Sequence, residues 1–315
     1  MIAAPRRFPG RPGKRSAGPV RNARWLAFLG LALSLAGVVE AQELEPRVYR
    51  ALPTGLNFVV GSYQSSSGNV IFDATSSVED LELDVHLFNL SYLRTFALAG
   101  RSASVSVTAP RVYAQGSGRL AGEPVEASRS GWADARARVV VNLLGGPAMS
   151  LEEFAKHEQG RTMGVGLTVS APTGQYDSEY VVNFGANRWG FKPEIGYTSV
   201  RGRWIFETAL GVWIFTNNDD GPGGGTTVRQ DPTWNWQGHA IRRFGNRIWL
   251  AFDLNYFYGG TLSVEGQEPV GLQSNSRVGM TLSIPVKRRH SIKIAAAAGA
   301  YTRAGADFDL ATAAY

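Results

Sequence analysis

The fold class this sequence predicts is all-β: a transmembrane, antiparallel, up-and-down β-barrel of about 12 strands, on three observations. Apolar residues alternate with small or charged ones at period two, in blocks of about ten residues. Aromatics gather near the ends of those blocks, as the two interfaces of a bilayer require. The links between blocks alternate between long polar stretches and tight turns, the asymmetry of outer loops against periplasmic turns.

The chain begins with a leader rather than a strand. Residues 1 to 41 hold seven basic residues (Arg6, Arg7, Arg11, Lys14, Arg15, Arg21, Arg24) and one acid, Glu40. An apolar run follows from Trp25 to Val39, and Val39-Glu40-Ala41 offers the small residues that signal peptidase inspects. That run is too short to span a bilayer and suits a cleaved secretory signal, so residues 1–41 are expected to be removed and 42–315 to form one barrel. A start at Val20 would leave a signal of 22 residues, 20 to 41. The full chain has 32 basic and 26 acidic residues; without the leader's 7 and 1, 25 of each remain. A neutral mature chain removes the electrostatic case for nucleic-acid binding. Cysteine is absent, so no disulfide or thiolate chemistry is available.

Candidate strands lie near 55–65, 82–96, 102–113, 131–143, 161–171, 189–200, 203–217, 232–244, 247–258, 274–286, 291–301 and 307–315. The ninth is the clearest. Ile248, Leu250, Phe252, Leu254, Tyr256 and Tyr258 share one face, Arg247, Ala251, Asp253 and Asn255 the other, with Trp249 and Phe257 as exceptions. In the fifth, Met163, Val165, Leu167 and Val169 oppose Gly164, Gly166, Thr168 and Ser170. In the tenth, Val278, Met280, Leu282 and Ile284 oppose Arg277, Gly279, Thr281 and Ser283. Long links such as Ser65 to Asp80, Gln115 to Ser130, Thr173 to Arg188 and Asn218 to Asp231 are expected outside. Short ones such as Arg201-Gly202 and Gly245-Asn246 are expected in the periplasm, with both termini. Two links depart from the rule. Gly145 to Gln159 is long for a turn, with a short helix predicted behind Ser150, and Thr302 to Ala306 is short for an outer loop.

If the large apolar face meets lipid, the other face lines the lumen. Arg136, Arg138, Glu194, Glu207, Asp253 and Arg277 are then the candidate lumen-lining residues. They either pair with one another to fill a narrow lumen or form a constriction that filters solutes by charge and size.

Several segments resemble a known family, the outer-membrane β-barrels associated with the meta-cleavage pathway of phenol degradation. The resemblance begins at Leu44-Glu45-Pro46-Arg47-Val48-Tyr49 and Pro53-Thr54-Gly55-Leu56-Asn57-Phe58. It continues through Ala171-Pro172-Thr173-Gly174-Gln175-Tyr176-Asp177, and Asn187 to Gly196 is its most specific stretch. Gln230-Asp231-Pro232, Gln237-Gly238-His239 and Gly305-Ala306-Asp307-Phe308-Asp309 complete it. It implies passage of small hydrophobic or aromatic solutes across the outer membrane. It also implies a terminal aromatic that the outer-membrane assembly machinery reads. Only a short alanine-rich stretch precedes Tyr315 here, so the last strand departs from the family pattern.

No catalytic pattern competes with this reading. His86, His157, His239 and His290 show no metal-ligand spacing, and no Gly-x-Ser-x-Gly elbow is present. The expectation is a non-enzymatic channel with no cofactor, carrying small hydrophobic or aromatic compounds passively. The expected partners are outer-membrane lipid, lipopolysaccharide, the assembly machinery and those solutes, not nucleic acid. The alternatives are a structural or adhesive barrel with a plugged lumen and, less in keeping with the long apolar faces, a soluble secreted all-β binding protein.

Overall fold

The computed structural model describes residues 45–71, 78–120, 123–179, 183–221, 224–264, 269–287 and 289–315; the leader expected at 1–41 lies outside them. Fifteen strands follow in order: β1 (Asn57–Ile71), β2 (Val78–Leu98), β3 (Arg101–Leu120), β4 (Glu123–Trp132) and β5 (Arg136–Leu144). A short helix α1 (Leu151–Lys156) precedes β6 (Arg161–Ser170), β7 (Gly190–Arg201), β8 (Trp204–Phe215), β9 (Val228–Gln230) and β10 (Thr233–Arg243). Then come β11 (Trp249–Gly259), β12 (Leu262–Val264), β13 (Gln273–Lys287), β14 (His290–Tyr301) and β15 (Gly305–Ala314).

Each wall strand pairs antiparallel with the next, and β15 returns to pair with β1 from Ser62↔Ala314 to Ile71↔Gly305. The sheet therefore closes, leaving no free edge along that seam. β4 and β5 share β3 as partner, β5 along Ala103–Thr108 and β4 along Arg111–Leu120. They occupy one wall position broken at 133–135, so the wall has 12 strands. β9 and β12 form a separate ribbon held by Val228, Leu262 and Val264.

The alternation works as a membrane wall. Along β11, Trp249, Ala251, Asp253, Asn255 and Phe257 are buried, while Phe252, Leu254, Tyr256 and Tyr258 are exposed. Large apolar side chains exposed this way on every side of a barrel would be unstable in water and are at home in lipid. Trp249 and Phe257, exceptions to the pattern in sequence, belong to the inner face.

The strand ends differ from the sequence expectation in one systematic way. β1 runs on to Ile71 and β2 starts at Val78, where a loop from 65 to 80 was expected; β3 and β4 likewise replace most of the loop from 115 to 130. Period-two apolarity marks the part of a strand that meets lipid. Backbone pairing continues above it because ladder hydrogen bonds do not depend on which side chains are apolar.

The lower turns are tight. Between β2 and β3, Ala99 and Gly100 take φ of 48° and 73°, the left-handed geometry of a two-residue hairpin turn. The long link before β6 contains α1, whose capping box is complete: Ser150 Oγ accepts from Glu153 N at 3.2 Å, and Glu153 Oε2 accepts from Ser150 N at 2.7 Å. Those hydrogen bonds to Ser150 hold the exposed Glu153 carboxyl below its ordinary value. At the other end of the chain, Tyr315 exchanges backbone bonds with Gly61 at 2.9 and 3.0 Å. Its ring stacks on His290, with Tyr315 Oη 2.7 Å from His290 Nδ1. The terminal aromatic thus closes the last hairpin by packing across it.

Candidate functional site: the barrel interior

Residues 45–56 show no period-two pattern and do not join the wall. They fold as turns inside the barrel, with Tyr49 and Ala51 buried at 5% and 2% exposure. The wall holds them largely by polar contacts. Arg47 N donates to Glu207 Oε2 (2.5 Å), Tyr49 Oη to Glu194 Oε1 (2.5 Å), and Thr162 Oγ1 to Tyr49 O (3.0 Å). Leu52 N donates to Ser102 Oγ (3.2 Å), Thr95 Oγ1 to Pro53 O (2.6 Å), and Thr54 N to Met149 O (2.8 Å). The Arg47 guanidinium lies 5.5 Å over the Trp249 ring.

The wall is recessed for this segment. A Cβ on Gly164 would stand 2.8 Å from Tyr49 Cδ1, one on Gly166 3.2 Å from Tyr49 Oη, and one on Gly196 2.5 Å from Tyr49 Cγ. Only glycine lets β6 and β7 approach the ring this closely. The cavity remaining beside Tyr49, bounded by Glu45, Arg138, Glu194, Glu207 and His239, measures about 10 Å³. That is no more than a single water needs.

Two charged groups face the segment. In the first, Glu194 receives Arg138 Nη2 at 2.5 Å, Lys192 Nζ at 3.2 Å and Tyr49 Oη, while Arg138 Nη1 reaches Glu45 Oε2 at 3.2 Å. In the second, Glu207, His239 and Asp253 stand side by side on β8, β10 and β11. His239 Nδ1 lies 2.7 Å from Asp253 Oδ1, and Thr281 Oγ1 donates to Asp253 Oδ2 at 2.7 Å. Thr198 Oγ1 donates to Glu207 Oε1 at 3.3 Å.

The six residues singled out in the sequence thus separate. Arg138, Glu194 and Glu207 meet around the segment, and Asp253 joins them through His239. Arg136 stands apart, its guanidinium 5.8 Å over Trp213, where Lys192 Nζ also lies at 5.5 Å. Arg277 is buried on β13, opposite Gly299 of β14. Sequence reasoning missed Tyr49, Arg47 and His239. The glycines of β6 were visible as a small face, but nothing in one sequence says that a tyrosine 115 positions upstream of Gly164 fills the space. His86 points away from the lumen: it stacks on Tyr63 among outward aromatics, with Tyr63 Oη 2.9 Å from Nδ1.

The interior is lined by both polar and apolar side chains. Strands β5 to β13 present the charges above together with Asn235, Gln237 and Asn255, joined by bonds of 2.6 and 3.0 Å, and below them the apolar cluster Ile205, Ile241, Trp249 and Ala251. Strands β15, β2 and β3 present buried apolar side chains, among them Leu83, Val85, Leu87, Val112, Phe308 and Leu310, with Gln64 and Ser66 of β1 buried between them.

One outer loop is tied down by the break in the fourth wall position. Asp134 Oδ1 accepts from Gly174 N and Oδ2 from Ala186 N, both at 2.8 Å, and Gly174 and Gly185 pack backbone to backbone. Burial pushes the Asp134 carboxyl above its ordinary value, against the opposing effect of those backbone donors. Asp134→Ala should orphan two loop amides, a cost of about 1–3 kcal/mol for a buried unmet group. Limited proteolysis should then cut within 171–187 in the variant and spare the parent; equal protection of both would contradict this anchoring.

Comparison with known proteins agrees with this architecture. Residues 53–302 match the family described as "Putative MetA-pathway of phenol degradation". The chain belongs to that family. Among solved structures it is similar to an outer membrane channel from Pseudomonas putida F1, with a TM-score of 0.72 and 18% identity over 87% of this chain and 98% of that one. It is similar at a greater distance to the transport unit of the autotransporter AIDA-I from Escherichia coli, with a TM-score of 0.51 and 10% identity over 91% and 97%. Both likenesses establish the fold, a closed transmembrane barrel. Among curated protein sequences none matches.

Proposed function

We propose that this family member is a non-enzymatic outer-membrane channel for small hydrophobic or aromatic solutes, closed in this conformation by its own segment 45–56. The observation that carries the reading is the mixed interior. Apolar side chains of β15, β2 and β3 line its upper part, and charged and amide side chains of β5 to β13 line the part where the segment sits, a combination that suits a solute with a ring and a hydroxyl. The segment hangs on hydrogen bonds and ion pairs that water could replace, not on a large apolar interface. Passive passage needs no cofactor, only displacement of the segment. The reading gains support from the family described for phenol degradation and from the channel that the fold resembles. The surroundings it requires are outer-membrane lipid, lipopolysaccharide and the assembly machinery.

One observation favours a second reading, a structural barrel whose segment never moves: the Glu194 carboxylate that accepts from Tyr49 Oη is itself fixed by Arg138 and Lys192. Permeation into liposomes carrying the refolded chain separates the two. The channel reading predicts that phenol-like aromatics equilibrate faster than in empty vesicles and faster than sugars of similar size. No acceleration of either class would support the fixed plug.

A further inference from the structure

The outside of the barrel carries a site that passage through the lumen does not use. Two rows of outward residues cross the first and last strands. The lower row runs Ile292, Tyr315, Gly61, Leu90 and Ala109. The upper row runs Ala313, Tyr63, Phe88, Arg111 and Trp132. Small residues in the lower row (Gly61, Ala109) and Ala313 leave a trench between them of about 600 Å³. Its lining is almost wholly apolar except at one end.

That end holds Arg111. Its guanidinium is clasped between two rings, 5.4 Å from Trp132 and 5.6 Å from Tyr113, and among the described residues no carboxylate pairs with it. Height places this end. β3 leaves its lower turn at Arg101, and ten residues at about 3.3 Å each, tilted by about 40°, rise roughly 25 Å, the thickness of the apolar band. Arg111 therefore stands at the outer interface. Ile292, two residues above the turn at His290, stands near the inner one. The trench descends diagonally from a fixed cation at the outer surface into the hydrocarbon.

A planar cation held between aromatic rings, at the head of an apolar trench in the outer leaflet, complements one chemistry: a phosphate on an acylated sugar. We propose that the trench docks lipid A, the phosphorylated glucosamine lipid of the outer leaflet, with a phosphate on Arg111 and one acyl chain along Leu90 and Gly61. The stacked rings pre-set the guanidinium fork, so little rotamer freedom is lost on binding. Gly61 is the floor of the site: a Cβ there would meet nothing within 4 Å, so a larger side chain fills the trench without disturbing the wall.

Native mass spectrometry of the full refolded chain, loaded with bis-phosphorylated lipid A or with phosphatidylglycerol, tests this directly. The parent should retain one lipid A and little phosphatidylglycerol. Arg111→Gln and Gly61→Leu should each reduce retention about tenfold, one lost charge-assisted contact or one excluded chain. Arg111→Lys should fall between, keeping the charge and losing the fork. Ala109→Leu fills the trench at an independent position and should match Gly61→Leu, with heat-modifiable gel mobility showing that each variant is folded. Equal retention by the parent and the folded variants would overturn the proposal. So would phosphatidylglycerol held as firmly as lipid A, or lipid A stripped of phosphate held as well as the intact lipid.

Discussion

Gly196→Ala opens the barrel. The new Cβ would lie inside contact distance of the Tyr49 ring, 2.5 Å from Cγ, with β7 pinned on both sides by its neighbours β6 and β8. The wall cannot retreat without breaking ladder bonds, so the ring must leave its recess. Overpacking of this kind costs about 1–3 kcal/mol, which shifts the balance of docked and displaced segment by roughly five- to 150-fold. The expected result in planar bilayers is a larger and longer-lived conducting state than the parent shows. The barrel itself should keep its heat-modifiable mobility, because the wall contacts are untouched. Parent-like conductance in the folded variant would mean that Tyr49 does not obstruct the path.

Glu194→Gln is expected to have the second-largest effect, and it acts on both stability and ion preference. Glu194 is the shared acceptor of Arg138, Lys192 and Tyr49, and its side chain is 2% exposed. Neutralising it removes a negative charge from beside two inward cations, Arg138 and Lys192, and leaves Arg138 its pair with Glu45. Removing one partner from a buried charge cluster costs about 3–5 kcal/mol. The temperature at which gel mobility changes should fall, and the reversal potential in a salt gradient should move toward anions. A lowered transition with an unchanged reversal potential would make Glu194 a structural group off the ion path.

Much of this molecule was legible in its sequence, for a physical reason. A strand between lipid and lumen must alternate, and a barrel must turn tightly at one end, so Arg277–Ile284 and Arg201-Gly202 announce themselves. Even the helix behind Ser150 was written in a local capping box. Three things were not legible. Hairpin height was hidden because β1 and β2 remain paired above the lipid, where nothing requires alternation. The inward aromatics Trp249 and Phe257 read as exceptions, since period alone does not say which large ring turns inward. The segment 45–56 carried no periodic signal at all. Its partners, Glu194 and Glu207, are more than 140 positions away, and contact at that distance is set by closure of the whole barrel.

If segment 45–56 is a removable stopper, a disulfide that ties it to the wall must block passage. The chain has no cysteine of its own. A Cβ on Gly196 falls 2.5 Å from Tyr49 Cγ, one bond from Tyr49 Cβ, so cysteines at the two positions would stand near the 3.5–4.5 Å Cβ separation of a disulfide. The measurement is uptake of a phenol-like aromatic by liposomes carrying the Tyr49→Cys, Gly196→Cys double variant, before and after reduction. The account predicts little uptake while the bond is closed and rapid uptake once dithiothreitol opens it. Equal uptake in both states would contradict it, because the solute would then be passing without moving the segment.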